Sequence, residues 1–476
     1  MKFLFLLIKC VCLLLLLQAQ LLIGAEDTPL TRSNDLLQEL NRYRSQIEEL
    51  ESQFGPYHRR LLEPLESLVS LLAADGEYQQ VASLQNRQLQ VMRTVLGFEH
   101  PDLVPLLQAI IATQIRLGNW QQVADQLGHI RYVTSIAAGK ESVELLLAIE
   151  NQAFWFLNMV QLDERKDRAK NFMAARQMYE EMERLAEDIF AEDSPKLIPW
   201  YYKRAVNEYR LVEFLNVSNG ISSDVMEQLI REEGMFKLEN ARGRARTNSD
   251  LRFGLGRQIP VIDGDLPVGE AYLGDSFNLL RHIKEIAATQ GDLEAQAMAE
   301  IYQGDFMILR DRRGRSLQYF RRARTMLLEA GLAKETIDQY FSRPAVIPYD
   351  KFYTRLGDVI AYQQDSLDQI EELDSNVIHL GVFTAWNESL PSTPKPIADN
   401  PALELELNYN QVDLSFEVNS SGRTASREVL KATPPERSVE RKASRALREI
   451  HFRPAIIDDK ATGVRDLQIR YRYVED

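Results

Sequence analysis

The sequence predicts a mainly α-helical chain, a helical repeat body followed by a small α+β domain. Three observations carry this. Gly76-Glu77-Tyr78-Gln79-Gln80-Val81-Ala82 recurs 42 residues on as Gly118-Asn119-Trp120-Gln121-Gln122-Val123-Ala124, with five of seven positions identical. Apolar residues hold helical spacing over most of 34–385, with one Gly/Pro-rich interruption at 242–275. After a proline-containing stretch at 386–402 the apolar period drops from 3.6 to 2, and 403–476 reads as strands around one helix.

Residues 1–25 open with Lys2 and Lys9, run through Leu13 to Leu17 and reach Ile23-Gly24-Ala25. That is the basic start, apolar core and small-residue exit of a secretory signal peptide, with cleavage expected after Ala25. The alternative is an uncleaved anchor, since residues 3–25 are long enough to span a bilayer. Both cysteines, Cys10 and Cys12, lie here, so a cleaved chain carries no disulfide and no thiolate metal site.

Asn34 to Gln53 places Leu36, Leu37, Leu40, Tyr43, Ile47 and Leu50 along one helical side. Each copy of the repeat then reads as helix, Gly turn, helix. The Gly takes the left-handed conformation that ends the first helix. The aromatic packs at the elbow, and Ala lets the second helix approach. Such a pair cannot bury its apolar face alone and must stack on a neighbour. A third pair is expected from Val143 through Phe156 and from Ala169 to Ile189, with Glu192-Asp193-Ser194-Pro195 standing where Glu99-His100-Pro101 stood. Further helices are expected at 200–215 and 221–241. The interruption at 242–275 reads as a long irregular insertion, and its Asp263-Gly264-Asp265 as a tight turn, since no calcium-ligand series continues. Helices should resume near Phe277, with Ala299–Arg310 and Ser316–Leu328 paired across a break at Gly314.

Leu96-Gly97-Phe98-Glu99-His100-Pro101-Asp102, between the two copies, resembles the junction of tetratricopeptide repeats of the kinesin-light-chain-like type. Ser316 to Ala323 is similar to the second helix of such a repeat. The resemblance implies a right-handed superhelix with a concave face for peptides or partner helices, in a family seldom enzymatic.

In the C-terminal region Leu403, Leu405 and Leu407 alternate with acids, and Val412, Leu414, Phe416 and Val418 with polar residues. Asn419 to Gly422 makes a turn, Val429-Leu430 ends another strand, Pro434-Pro435 opens a helix through Ile450, and Leu467 to Tyr473 forms the last strand. Phe416-x-Val418-x-x-x-Gly422, a helix with Ala443 and Ala446, then Phe452-x-Pro454-Ala455 resemble the C-terminal domain of the TonB energy-transducer family. The resemblance covers 412–474 and implies a small periplasmic sheet-and-helix domain that contacts outer-membrane receptors. Ile450 stands where that family commonly has Trp, and its long periplasm-crossing spacer is reduced here to a few prolines.

Charge narrows the partners. The chain has formal net charge −14, while residues 403–476 balance at 13 basic and 13 acidic groups, so all the excess acid lies in the helical body. No global basic footprint exists, which argues against nucleic acid. Two local clusters are candidate partner-binding sites. Arg321 and Arg322 belong to an Arg-rich helix pair suited to an acidic peptide terminus. On the helix at 436–450, Arg437, Arg441, Arg445 and Arg448 fall opposite Val439, Ala443, Ala446, Leu447 and Ile450. The six histidines are scattered, no nucleophile motif occurs, and no catalytic, cofactor or metal residue is assigned. The expectation is a non-enzymatic, exported (periplasmic) scaffold that binds cell-envelope proteins or peptides and needs no cofactor. The alternative is an inner-membrane-anchored, TonB-like transducer serving outer-membrane transport.

Overall fold

The structure, a computed structural model, describes residues 29–163, 167–216, 261–262, 266–371, 377–386, 403 and 405–474. The expected signal segment, the helix at 221–241, most of the insertion and nearly all of the 386–402 linker lie outside the described residues. The chain divides into two compact units, Met1–Asn119 and Trp120–Asp476.

The first unit contains α1 (Pro29–Phe54), α2 (Leu62–Ala74), α3 (Tyr78–Leu96) and α4 (Leu103–Arg116). Its core joins Leu40 and Ile47 of α1 to Leu65, Leu68 and Leu72 of α2 and to Val81 and Val91 of α3. The turns follow one plan. Gly76 adopts φ 79°, donating its N–H to Ala73 O, while the Glu77 N–H reaches Leu72 O, so the last carbonyls of α2 are satisfied. At the end of α4, Gly118 repeats this at φ 71° with the Asn119 N–H on Gln114 O. The expected left-handed glycines are therefore both present.

The 42-residue register extends further than the seven-residue match. Gly55, Gly97 and Gly139 stand 42 apart, at φ 87°, 97° and 94°. His58, His100 and Ser142 keep the same spacing, and each accepts a backbone N–H at the start of the next helix: Arg60 N, Asp102 N and Leu145 N. Leu61, Leu103 and Leu145 then enter the core. Identity changes from His to Ser while the capping chemistry stays, which is why residue matching alone finds two copies.

The second unit opens with α5 (Trp120–Ala137), α6 (Val143–Leu162), α7 (Arg168–Ile189) and α8 (Ile198–Asn216). Trp155 of α6 is fully buried and donates its Nε1–H to Trp120 O. Between α7 and α8, the nearly enclosed Arg176 guanidinium reaches Glu208, which also receives Arg204. After the short strands β1 (Val261–Ile262) and β2 (Leu266–Pro267), α9 (Val268–Thr289), α10 (Leu293–Leu309), α11 (Arg313–Glu329) and α12 (Lys334–Phe341) continue the helix pairs.

Two expectations are corrected here. The helix starts at Val268 rather than near Phe277, so Gly269 and Gly274 lie inside it. Burial of Leu273, Leu279, Leu280 and Ile283 outweighs the roughly 1 kcal/mol helix penalty of each glycine. The break between α10 and α11 falls at Asp311, not at Gly314. Asp311 takes φ 56° and makes the same pair of terminal bonds as the glycines, its N–H to Ile308 O and the Arg312 N–H to Met307 O. Asp tolerates this conformation better than most residues, and Gly314 is simply in the first turn of α11.

The chain then runs through β3 (Ala345–Ile347), α13 (Leu356–Asp368), β4 (Ile378–Ala385), β5 (Tyr409–Val418), β6 (Thr424–Thr433), α14 (Arg437–Glu449), β7 (His451–Arg453), β8 (Ala455–Ile457), β9 (Lys460–Thr462) and β10 (Val464–Val474). The main sheet has the order β4-β10-β5-β6, with β4 parallel to β10 and the other pairs antiparallel. Residues 378–385, expected at the end of the helical body, thus belong to the C-terminal sheet. Leu405 and Leu407 alternate in burial with exposed neighbours, yet 405–408 form no strand; the ladder begins at Tyr409.

Beneath α14, Val412, Leu414, Phe416, Leu467, Ile469 and Tyr471 form a second core with Ala443, Leu447 and Phe452. This region is joined to the helices directly. β3 pairs antiparallel with β7, and Ile456 of β8 belongs to the helical core. Arg453 Nε and Nη2 donate to Asp305 Oδ1 and Oδ2 of α10 at 2.8 and 2.9 Å, both side chains being almost wholly buried. The guanidinium also lies 5.0 Å from the Tyr340 ring centre and 5.8 Å from those of Phe320 and Tyr349.

Candidate binding surface

Pro434-Pro435 cannot continue a strand ladder, and the next residues, rich in Ala, Arg, Leu and Glu, favour a helix. Glu440 in the first turn and Arg448 in the last suit the helix dipole. α14 ends where Ile450 turns extended and buries its side chain. Val439, Ala443, Ala446, Leu447 and Ile450 are all buried, as the spacing requires. Thr424 Oγ1 bonds Leu447 O and so ties edge strand β6 to the helix.

The opposite face carries Arg437, Arg441, Arg445 and Arg448, all exposed. Over eleven residues at 1.5 Å each, the four span roughly 16 Å. Arg448 makes a long 3.4 Å contact with its neighbour Glu449. Arg437, Arg441 and Arg445 make no hydrogen bond or ion pair with any described residue. Three guanidinium forks are thus held at one-turn intervals on a helix whose other side is locked in a core.

Arg321 and Arg322 are not brought to this surface. Arg321 directs Nε and Nη2 onto Asp459 O at 3.2 and 2.7 Å, fastening α11 to the β8–β9 hairpin. Arg322 pairs with the buried Glu300 at 2.8–2.9 Å and covers the Tyr319 ring. Lys284 reaches the same Glu300, so Arg322 is held by an internal acid and Arg321 by a backbone carbonyl. The spacing of 321–322 within its own helix could not reveal partners that lie on other elements.

The Gly422 and Phe452 positions meet in space. Gly422 sits at φ 72°, and a Cβ there would lie 2.0 Å from Phe452 O; the Phe452 N–H in turn reaches Gly422 O. Asn419 Oδ1 accepts from Ser421 N and Arg423 N and so shapes the turn. Phe416 and Phe452 pack with ring centres 5.5 Å apart. Among the described residues no group of three or more His, Cys, Asp or Glu is placed to hold a metal, and no helix is long and apolar enough to cross a membrane.

No protein-family profile matches the sequence, and no curated protein does. Among solved structures, the chain is similar to nearly identical TPR-like repeats assigned to a kinesin light chain of Podosopora anserina. The identity is 12%, with 44% of this chain and 91% of that chain covered and a TM-score of 0.27. It is also similar to BtubC (BKLC) from P. vanneervenii at 13% identity, covering 64% of this chain and 94% of that one, with a TM-score of 0.27. At that score the likeness adds no weight. The TPR-like character of the helix pairs rests on their own turns and 42-residue register, and the chain is mostly helical with a small strand-containing C-terminal region.

Proposed function

We propose that the protein is an exported, non-enzymatic scaffold of the bacterial cell envelope, with α14 as the face that receives an acidic segment of a partner protein. Arg437, Arg441 and Arg445, exposed and without a partner among the described residues, carry this reading. Their planar forks suit carboxylates, and their regular spacing suits an extended acidic chain. The TPR-like helices supply a second surface for protein partners. The β5-β6-α14-β7-β10 succession, with Gly422 set against Phe452, supports a TonB-C-like domain type. Direct packing of that region on α10 to α12 favours a fixed scaffold over a domain carried on a spacer.

Titration of the full chain with an oligoglutamate peptide tests the stripe. Replacing Arg437, Arg441, Arg445 and Arg448 by Gln should weaken binding about tenfold or more at low salt, with the difference shrinking at high salt. Folding stability should move by less than about 0.5 kcal/mol, since exposed charges contribute little. Unchanged affinity in the quadruple variant would leave the stripe a solvated face. Determining the N-terminus of the mature protein tests export. A start at Glu26 supports the scaffold, whereas retained Met1 with membrane fractionation supports the anchored transducer.

A further inference from the structure

A cleft of about 290 Å³ lies between α13, β3 and the outer edge of β4. Pro348, Leu380, Val382 and Phe383 give it apolar walls, and Arg343, Ser366, His379 and Thr384 are among its polar lining residues. Arg343, in the turn before β3, is half-buried and donates through Nη2 to His379 O at 2.7 Å. No described carboxylate lies within 4 Å of it, and burial depresses its pKa with no acidic neighbour to offset the effect. Half-buried Arg470, Arg324 and Arg131 are each paired with an acid, Asp413, Asp338 and Glu181 respectively, whereas half-buried Arg427 and Arg472 reach Thr424 and the Tyr409 ring. One hydrogen bond uses one of five guanidinium N–H groups, so a partly desolvated cation faces the cleft with donors to spare.

The strand edge limits what can enter. Ser366 Oγ accepts the Val382 N–H at 2.8 Å, and Gly381 at φ 86° lies so close that a Cβ would sit 2.3 Å from that oxygen. α13 therefore touches β4 at mid-strand, and a whole added strand does not fit. Asp350 and Asp365 also line the cleft and disfavour a multiply charged anion.

We infer that this cleft is a binding pocket for a single small carboxylate bearing a short apolar chain, with Arg343 as its anchor. The ligand is either a free organic acid or the last residue of a peptide, since both present the same group.

Ligand-observed NMR on the full chain with N-acetyl-L-leucine, and with N-acetyl-L-leucinamide as the uncharged control, tests this. The acid should bind and the amide should bind about tenfold more weakly or worse, the range of a lost charge-assisted hydrogen bond. Arg343→Gln, which keeps a donor for His379 O, should cost the acid a similar factor and the amide nothing. Leu380→Trp, which fills the cleft, should abolish binding and covers the case in which the Arg343 variant misfolds. Equal binding of acid and amide, no binding of the acid at millimolar concentration, or parental affinity in either variant would overturn the assignment. N-acetyl-Ala-Ala-Leu separates the sources. Binding at least as tight as acetyl-leucine identifies peptide termini, and exclusion identifies a free acid.

Discussion

His451 begins β7 directly after the end of α14, where Arg423 and Arg313 face it and Asp311 lies near. Burial, reinforced by the two guanidiniums and only partly opposed by Asp311 and the Glu449 backbone, pushes its pKa down to about 4, and its Nδ1 finds no hydrogen-bond partner. An unfolded histidine titrates near 6.5. The unfolded chain therefore binds the proton first, so this group's contribution is fully present above about pH 6.5 and is lost as pH falls from there towards 4. The melting temperature should drop through that window, and His451→Gln should flatten the drop between pH 6.5 and 5, above most carboxylate titrations. Equal slopes in the two proteins would refute the assignment. The sequence shows only that the histidines are scattered; the fold reveals His58 and His100 as helix-start acceptors and His451 as a half-buried ring whose Nδ1 is enclosed.

Elements were legible where the local code and the packing agree. The helix–Gly–helix pairs, the strands at 412–418 and 467–473 and the two faces of α14 follow from period and turn chemistry alone. Elsewhere packing overruled a local signal, as at the glycines inside α9 and at Asp311. Two glycines with opposite surroundings make the distinction measurable. A Cβ on Gly274 of α9 meets nothing within 4 Å and φ is ordinary, so Gly274→Ala should stabilise by about 0.5–1 kcal/mol through helix propensity. A Cβ on Gly422 collides with Phe452 O in a left-handed turn, so Gly422→Ala should destabilise by about 2 kcal/mol or more. Chemical denaturation of both variants decides, and shifts of the same sign would contradict the account.

In the Trp120–Asp476 unit, the join between helices and C-terminal sheet includes one buried ion pair and a short strand pairing, beside the Arg321–Asp459 and Ser366–Val382 hydrogen bonds. Asp305 and Arg453 are 148 residues apart, with aromatic rings around the guanidinium. Removing one partner strands a buried charge, so Arg453→Met or Asp305→Leu should each cost about 3–5 kcal/mol. The double replacement should cost much less than the two together, because no charge is then left alone. Hydrogen exchange should rise at β7 and β8 in the single variants while the amides of β5 and β10 stay protected. Uniform loss of protection would show that the pair supports the whole unit rather than the join.

The sequence alone determined a helical body, its left-handed glycine turns, the 42-residue register, the strands at 412–418 and 467–473 and the amphipathic Arg-bearing helix. All of these are set by contacts within a few residues, where period and turn chemistry act. Only the tertiary structure decided that 378–385 completes the C-terminal sheet, that Arg321 and Arg322 bond to Asp459 O and Glu300 while Arg437, Arg441 and Arg445 pair with no described residue, and that Arg343 lines a cleft with no described carboxylate within 4 Å of it. Those outcomes depend on which distant side chain desolvates or neutralises which, and partners such as Asp305 and Arg453 leave no mark in local spacing.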